Sequence, residues 1–353
     1  MDVGSSVNLS APMLIVSVEE WRERVHTIIL FGSFGSCGIV LNLLPILLTL
    51  CTDLRKNNVH FMVANLSIAD LLFCVSFVFG QTQYILYRET IEIAACRWLA
   101  LFTFTTAILE FLFPPMLALN RYISLYHKQH YDRIYTGRNI ALMAGASWMF
   151  ATAIPLIFTV SGKTGFDEDN MHCCIVVKHS AVGWTVLYWT VIVVPLLTFC
   201  DGTMIYCNYK IYKRLFKHQV VGSTQKNVVR QNKEILYFLI ADMLFPILFH
   251  TTYHVAKFAS IDRVDLVQRR IFTTLYLTNS CVRGLVTLSM LRPYRTALKD
   301  LTLGLLCQWS SPVVPTIATG TKAAGPALTI SPEAQWSAAN RVCSDRLVPG
   351  AVL

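Results

Sequence analysis

The sequence predicts an all-α membrane protein, a seven-transmembrane helix bundle with a short amphipathic helix after span 7. Three observations predict it. Of 353 residues, 54% are apolar and only 14% charged, and the mean hydropathy is +0.50. Seven stretches approach the roughly 20 apolar residues that a bilayer crossing needs. Lys and Arg collect in the short segments between those stretches. Soluble domains carry about 25% charged residues. There is too little charge here to cover a water-facing surface, which excludes a soluble enzyme, a disordered chain and a collagen-like fibre. The net charge of +9 would suit nucleic acid. Because the basic residues are dispersed between apolar blocks, the expected partner is lipid and not nucleic acid.

The seven spans are read at 26–51, 59–84, 97–123, 140–161, 182–208, 235–258 and 271–291. Residues 1–25 form an N-terminal segment with no cleavable signal pattern. After span 7, Tyr294, Ala297, Leu298, Leu301 and Leu305 recur at helical spacing over 292–307. Residues 308–353, rich in Ser, Pro, Ala, Gly and Thr, read as a disordered tail.

Orientation follows from Lys and Arg. With the N-terminus outside, fifteen of them face the cytoplasm, with seven of these in the third cytoplasmic loop and its flanks (Lys210 to Lys233); about ten face outward. The bias places the N-terminus outside and the C-terminus inside. Asn8-Leu9-Ser10 is then a usable glycosylation sequon. Eleven cysteines are scattered without a C-x-x-C pair, so no zinc or redox site and no cofactor is expected.

Charges inside hydrocarbon are costly and mark function or helix–helix joining. This chain has Asp70 in span 2, Glu110 in span 3, Asp201 in span 5, Asp242 in span 6 and Arg283 in span 7. The bland reading of Asp201 and Asp242 is helix joining. An intramembrane aspartyl protease would need Tyr-Asp and Gly-x-Gly-Asp patterns. Neither surrounds these residues, and a non-enzyme is expected.

Several landmarks then fall in order, one or more per helix: Asn42; Asn65-Leu66-Ser67-Ile68-Ala69-Asp70; Asn120-Arg121-Tyr122 with Cys96 25 residues before the Arg; Trp148; Pro195; and Pro246. Together they resemble the rhodopsin-like (class A) G-protein-coupled receptors, over about residues 30–307. Asn120-Arg121-Tyr122, with Tyr131-Asp132-Arg133-Ile134-Tyr135 after it, is most similar to a divergent invertebrate branch near melatonin-like receptors.

The resemblance implies roles. Asn120, Arg121 and Tyr122 would couple to a heterotrimeric G protein, with arrestin as a second partner. Asn42, Asp70, Glu110 and Arg283 would form a buried polar core. Pro246 and Pro195 would kink the helices that move, span 6 swinging outward. Cys96 would bridge to Cys173 or Cys174. The segment after span 7 would lie on the inner membrane surface, with Cys307 open to palmitoylation.

The departures from the family pattern carry expectations of their own. Span 7 has Arg283-Gly284-Leu285-Val286-Thr287 in place of Asn-Pro-x-x-Tyr, and span 6 has Leu244 in place of the usual tryptophan. Asn120 replaces an acid that restrains the neighbouring arginine, and Lys226 stands where relatives carry another. Ligand-free signalling is therefore expected to be higher than in relatives with both acids, unless Arg283 locks the bundle and cancels the effect. Many relatives hold sodium beside the span-2 aspartate; here Arg283 is expected to take the ion's place, facing Asp70 and Glu110. No metal site is expected.

Thr103 stands where amine receptors carry an aspartate, which argues against amine ligands. The ligand pocket is read as Thr103, Phe104, Ile247, Thr251, His254, Arg269 and Thr273, mainly apolar with a cationic rim. It would suit a lipid, a small apolar molecule or a peptide. The intramembrane charges also fit an ion- or proton-coupled transporter or channel, and a receptor fold that no longer couples is the third alternative.

Overall fold

In the computed structural model, residues 18–87, 92–167, 172–175, 190, 194–217, 223–252 and 266–310 are described. The chain divides into two units, 1–294 and 295–353. The first is a seven-transmembrane helical bundle. Its described helices are Val18–Cys51 (span 1), Asn58–Val75 continuing through a wide π-turn to Thr82–Tyr87 (span 2), Ile93–Tyr126 (span 3) and Gly137–Val160 (span 4). Gly202–Lys217 (span 5), Ser223–Pro246 (span 6) and Leu266–Met290 (span 7) complete them. Four of them are apolar and long enough to cross a bilayer on their own: Trp21–Cys51, Asn58–Tyr87, Ile93–Tyr126 and Gly137–Val160. A last helix, Arg292–Ser310, runs into the second unit.

Local chemistry sets the starts of the helices. The Asn57 side chain accepts from the Val59 amide at 2.9 Å and opens span 2. Thr136 does the same for Asn139 at 3.2 Å and opens span 4. In the turn between spans 1 and 2, a hydrogen bond and the charge of Lys56, 2.6 Å away, hold the Asp53 carboxyl below its ordinary range. Prolines interrupt three spans without ending them: Pro45, the pair Pro114–Pro115, and Pro155. Pro195 and Pro246 each stand immediately before a π-turn, Leu196–Asp201 and Ile247–Thr251, where the backbone ladder loses its regular spacing.

Span 3 is the hub. It packs on spans 2, 4, 5 and 6, while span 7 closes against spans 1, 2 and 6. Gly284 makes the span 1–span 7 approach possible: a Cβ there would lie 2.9 Å from the Leu41 carbonyl and 3.0 Å from Asn42 Oδ1. The residue standing where relatives have proline is thus a contact glycine. Trp148 Nε1 donates to Asn65 Oδ1 at 3.4 Å and ties span 4 to span 2.

Among the described residues, one paired element is not helical. Strands Thr164–Asp167 and His172–Ile175 pair antiparallel, with Phe166 opposite Cys173. The alternation of a strand sends Cys173 and Cys174 to opposite faces, so one alone meets Cys96.

Candidate functional site

Two groups of polar residues sit inside the bundle. The first surrounds Arg283, whose side chain is 2% exposed. Its Nη1 donates to Asp70 Oδ1 at 2.9 Å and lies 3.5 Å from Glu110 Oε2. Its Nε lies 2.7 Å from Asp242 Oδ1. That last approach is off-axis for a hydrogen bond and acts through charge. Three carboxylates from spans 2, 3 and 6 therefore converge on one guanidinium from span 7.

Glu110 is held from several sides. Asn279 Nδ2 donates to its Oε2 at 2.7 Å, and the Ser280 hydroxyl donates to its Oε1 at 2.6 Å. Four residues further along span 3, Pro114 has no N–H to give to the Glu110 backbone carbonyl. Arg283 Nη2 faces that carbonyl at 3.5 Å. The proline thus frees an acceptor that the arginine approaches. Asn42 completes the layer, donating to the carbonyls of Gly38 and Ser280, both at 2.9 Å. The guanidinium fills the space among the three acids and supplies their positive charge, so this donor set does not fit a metal ion.

The second group lies at the end of the bundle opposite the Cys96–Cys173 bridge. Arg121 lines a cavity of about 90 Å³ with His60, Leu117, Glu234, Ile235 and Phe238 among its walls. Arg121 Nε and His60 Nδ1 are buried there without hydrogen-bond partners among the described residues. Asn120 is fully buried and reaches Tyr131 Oη at 3.5 Å, joining span 3 to the short helix Lys128–Ile134. Burial pushes the neighbouring Tyr135 phenol upward. Tyr122 stacks on Tyr126 and meets Tyr206 of span 5, with ring centroids 5.0 and 5.8 Å apart. Tyr126 in turn donates to the Lys210 carbonyl at 2.7 Å, and Arg214 lies over its ring at 4.8 Å.

At the other end, Cys96 is bonded to Cys173, while the buried Cys174 Sγ faces Asp167 Oδ2 at 3.6 Å. Gln81 latches this loop. Its Oε1 accepts from the Cys173 amide at 2.7 Å, and its Nε2 faces the Cys173 carbonyl at 3.3 Å and Thr103 Oγ1 at 3.4 Å. Thr103 Oγ1 also meets Ser76 Oγ and the Leu99 carbonyl. Thr103 thus serves an internal network that the sequence reading did not foresee.

Among the other residues read as pocket, Phe104 and Thr273 are buried and Ile247 is half-buried. Thr251 and Arg269 lie on helices whose side chains there are outside the described set, as is that of Cys307; His254 and Asn8 lie outside the described residues. The sequence reading assembled Asp70, Glu110 and Arg283 but set Asp242 aside as helix joining. It missed Asn279, Ser280 and Gln81. The spacing of Asp242, four residues before Pro246, was the available signal. Asp201 stands apart, half-buried at the end of its π-turn.

The comparisons agree with this architecture. Residues 41–283 match the family model described as 7 transmembrane receptor (rhodopsin family). The G-protein coupled receptor moody of Drosophila pseudoobscura pseudoobscura is 28% identical over 204 residues, 56% of this chain and 29% of that protein. Protein trapped in endoderm-1 of Drosophila melanogaster is 29% identical over 163 residues, 43% of this chain and 41% of that protein. Galanin receptor type 1 of Mus musculus is 24% identical over 250 residues, 67% of this chain and 68% of that receptor. The chain thus spans less than half the length of the first two relatives. The matched segment takes in spans 2 to 6 whole and ends on Arg283, and it covers more than half of the chain. The chain belongs to the rhodopsin family of seven-transmembrane receptors.

Proposed function

We propose that the chain is a plasma-membrane receptor, N-terminus outside and C-terminus inside, that converts extracellular ligand binding into engagement of a heterotrimeric G protein. The ligand is a lipid, a small apolar molecule or a peptide. Span 6 swings outward about Pro246 and widens the cavity around Arg121, which arrestin also uses. Ligand binding shifts a population between closed and open bundles.

The observation that carries this reading is Arg121 itself. A buried donor without an acceptor costs about 1–3 kcal/mol, and among the described residues Arg121 Nε is such a donor at the wall of a cavity. A partner segment that brings carbonyl oxygens into the widened cavity satisfies it, so partner binding and the open state favour each other. The cytoplasmic basic residues and the tyrosine stack of Tyr122, Tyr126 and Tyr206 frame the entrance.

Nucleotide exchange on a panel of purified G proteins, in membranes carrying equal amounts of receptor, tests it. Exchange above the empty-membrane level for at least one G protein, lost in Arg121→Ala, is the expected result. Exchange that Arg121→Ala leaves intact, or none with any G protein, overturns it.

A further inference from the structure

We infer that Asp242 is the positioning residue of span 6: through its ion pair with Arg283 it holds that helix in the resting bundle, in place of the restraint that Asn120 no longer provides. The inference deepens the proposed function and rests on it for its signalling consequence.

Geometry puts Asp242 in the right place. It lies four residues on the cytoplasmic side of Pro246, where the π-turn Ile247–Thr251 begins. At 1.5 Å per residue that is a lever arm of ~6 Å, against ~18 Å for Glu234 at the cavity. A swing about Pro246 that moves Glu234 by ~6 Å therefore moves Asp242 by ~2 Å. An ion contact of 2.7 Å does not survive such a shift.

Charge makes the contact breakable. Arg283 also touches Asp70 at 2.9 Å and Glu110 at 3.5 Å. When Asp242 leaves, the guanidinium keeps two carboxylates, so no cation is stranded. Those two acids sit on spans 2 and 3, and Glu110 is further fixed by Asn279 and Ser280 of span 7. The cluster thus has a fixed part and one movable member. Asp242 is 1% exposed, and neither of its carboxylate oxygens has a hydrogen-bond partner among the described residues; the ion pair with Arg283 compensates its burial. The off-axis geometry adds attraction without the directional strength of a hydrogen bond.

The restraint also has to exist somewhere. Asn120 spends its amide N–H on Tyr131, and a neutral amide cannot form an ion pair with Arg121. Span 6 is the helix whose displacement opens the cavity, and Asp242 is its buried charge toward the fixed cluster.

The test uses full-length receptor in nanodiscs, with spin labels at Lys56 and Lys233 carried by a non-natural amino acid. The label–label distance distribution reads the position of span 6 without any G protein. Asp242→Asn is expected to populate a longer-distance component, Asp242→Glu to keep the wild-type distribution, and Asp201→Asn to change nothing. Should Asp242→Asn fold poorly, Asp242→Leu removes the same charge while filling the space with apolar atoms, and the same longer component is expected. Basal nucleotide exchange is expected to rise several-fold in parallel. A wild-type distribution in the charge-removing variants, or a longer component in Asp242→Glu or Asp201→Asn, overturns the inference. A longer component without a rise in exchange upholds the positioning role and counts against coupling instead.

Discussion

Arg283 of span 7 and Asp70 of span 2 meet at 2.9 Å with no more than 2% of either side chain exposed. They fix two helices far apart in sequence around one covalent positive charge. Breaking a buried pair by removing one partner costs about 3–5 kcal/mol, because the other charge is left uncompensated. Arg283→Ala strands three carboxylates and is expected to lose about that much. Thermal unfolding of purified receptor, or surface expression at equal synthesis, reads it. A variant as stable as wild type would show that Arg283 does not hold the cluster.

The same pair predicts indifference to sodium. With the guanidinium filling the place among Asp70, Glu110 and Asp242, exchanging sodium for potassium is expected to leave the melting temperature unchanged. A sodium-specific rise in wild type would mean that an ion shares the site.

Gly284 gives a steric prediction. Its missing Cβ leaves room for the Leu41 carbonyl, and backbone cannot step aside cheaply. Gly284→Ala is expected to cost about 1–3 kcal/mol by overpacking. Gly32 has nothing near its Cβ position, so Gly32→Ala is the control and is expected to be neutral or slightly stabilising. Parallel melting curves of the two variants check this.

The paired strands separate two adjacent cysteines. Cys96→Ala and Cys173→Ala each remove the bridge and are expected to lose about 2–4 kcal/mol. Cys174→Ala leaves it, and non-reducing peptide mapping should find Cys96 still joined to Cys173. Gln81→Ala removes the latch on the Cys173 backbone and is expected to cost about 1–3 kcal/mol through the amide left unpaired.

Much of this was legible in the sequence because hydrophobic length and charge placement act locally. The spans follow from residue type and position along a helix; the partnership of Asp70 and Glu110 with Arg283, and Cys96 as one half of a disulfide, come through the family resemblance. What was not legible depends on rotation and partner. Asp242 shows the same acid-in-apolar signal as Asp201, yet one faces Arg283 and the other does not. The choice of Cys173 over Cys174 depends on strand pairing, Phe166 opposite Cys173, inside a protein whose composition reads as helical throughout. The contact role of Gly284 is visible only once span 1 is beside it.

Photocross-linking at the inner cavity tests the central claim most directly. A photoreactive residue at Ile235, which lines the cavity with Arg121, is compared with one at Tyr237, on the outward face of the same helix and 49% exposed. With ligand-free receptor, nucleotide-depleted G protein and equal labelling, the account predicts an adduct to the G-protein α subunit from Ile235 and none from Tyr237. An adduct from Tyr237 alone, or from neither position while exchange proceeds, would contradict it.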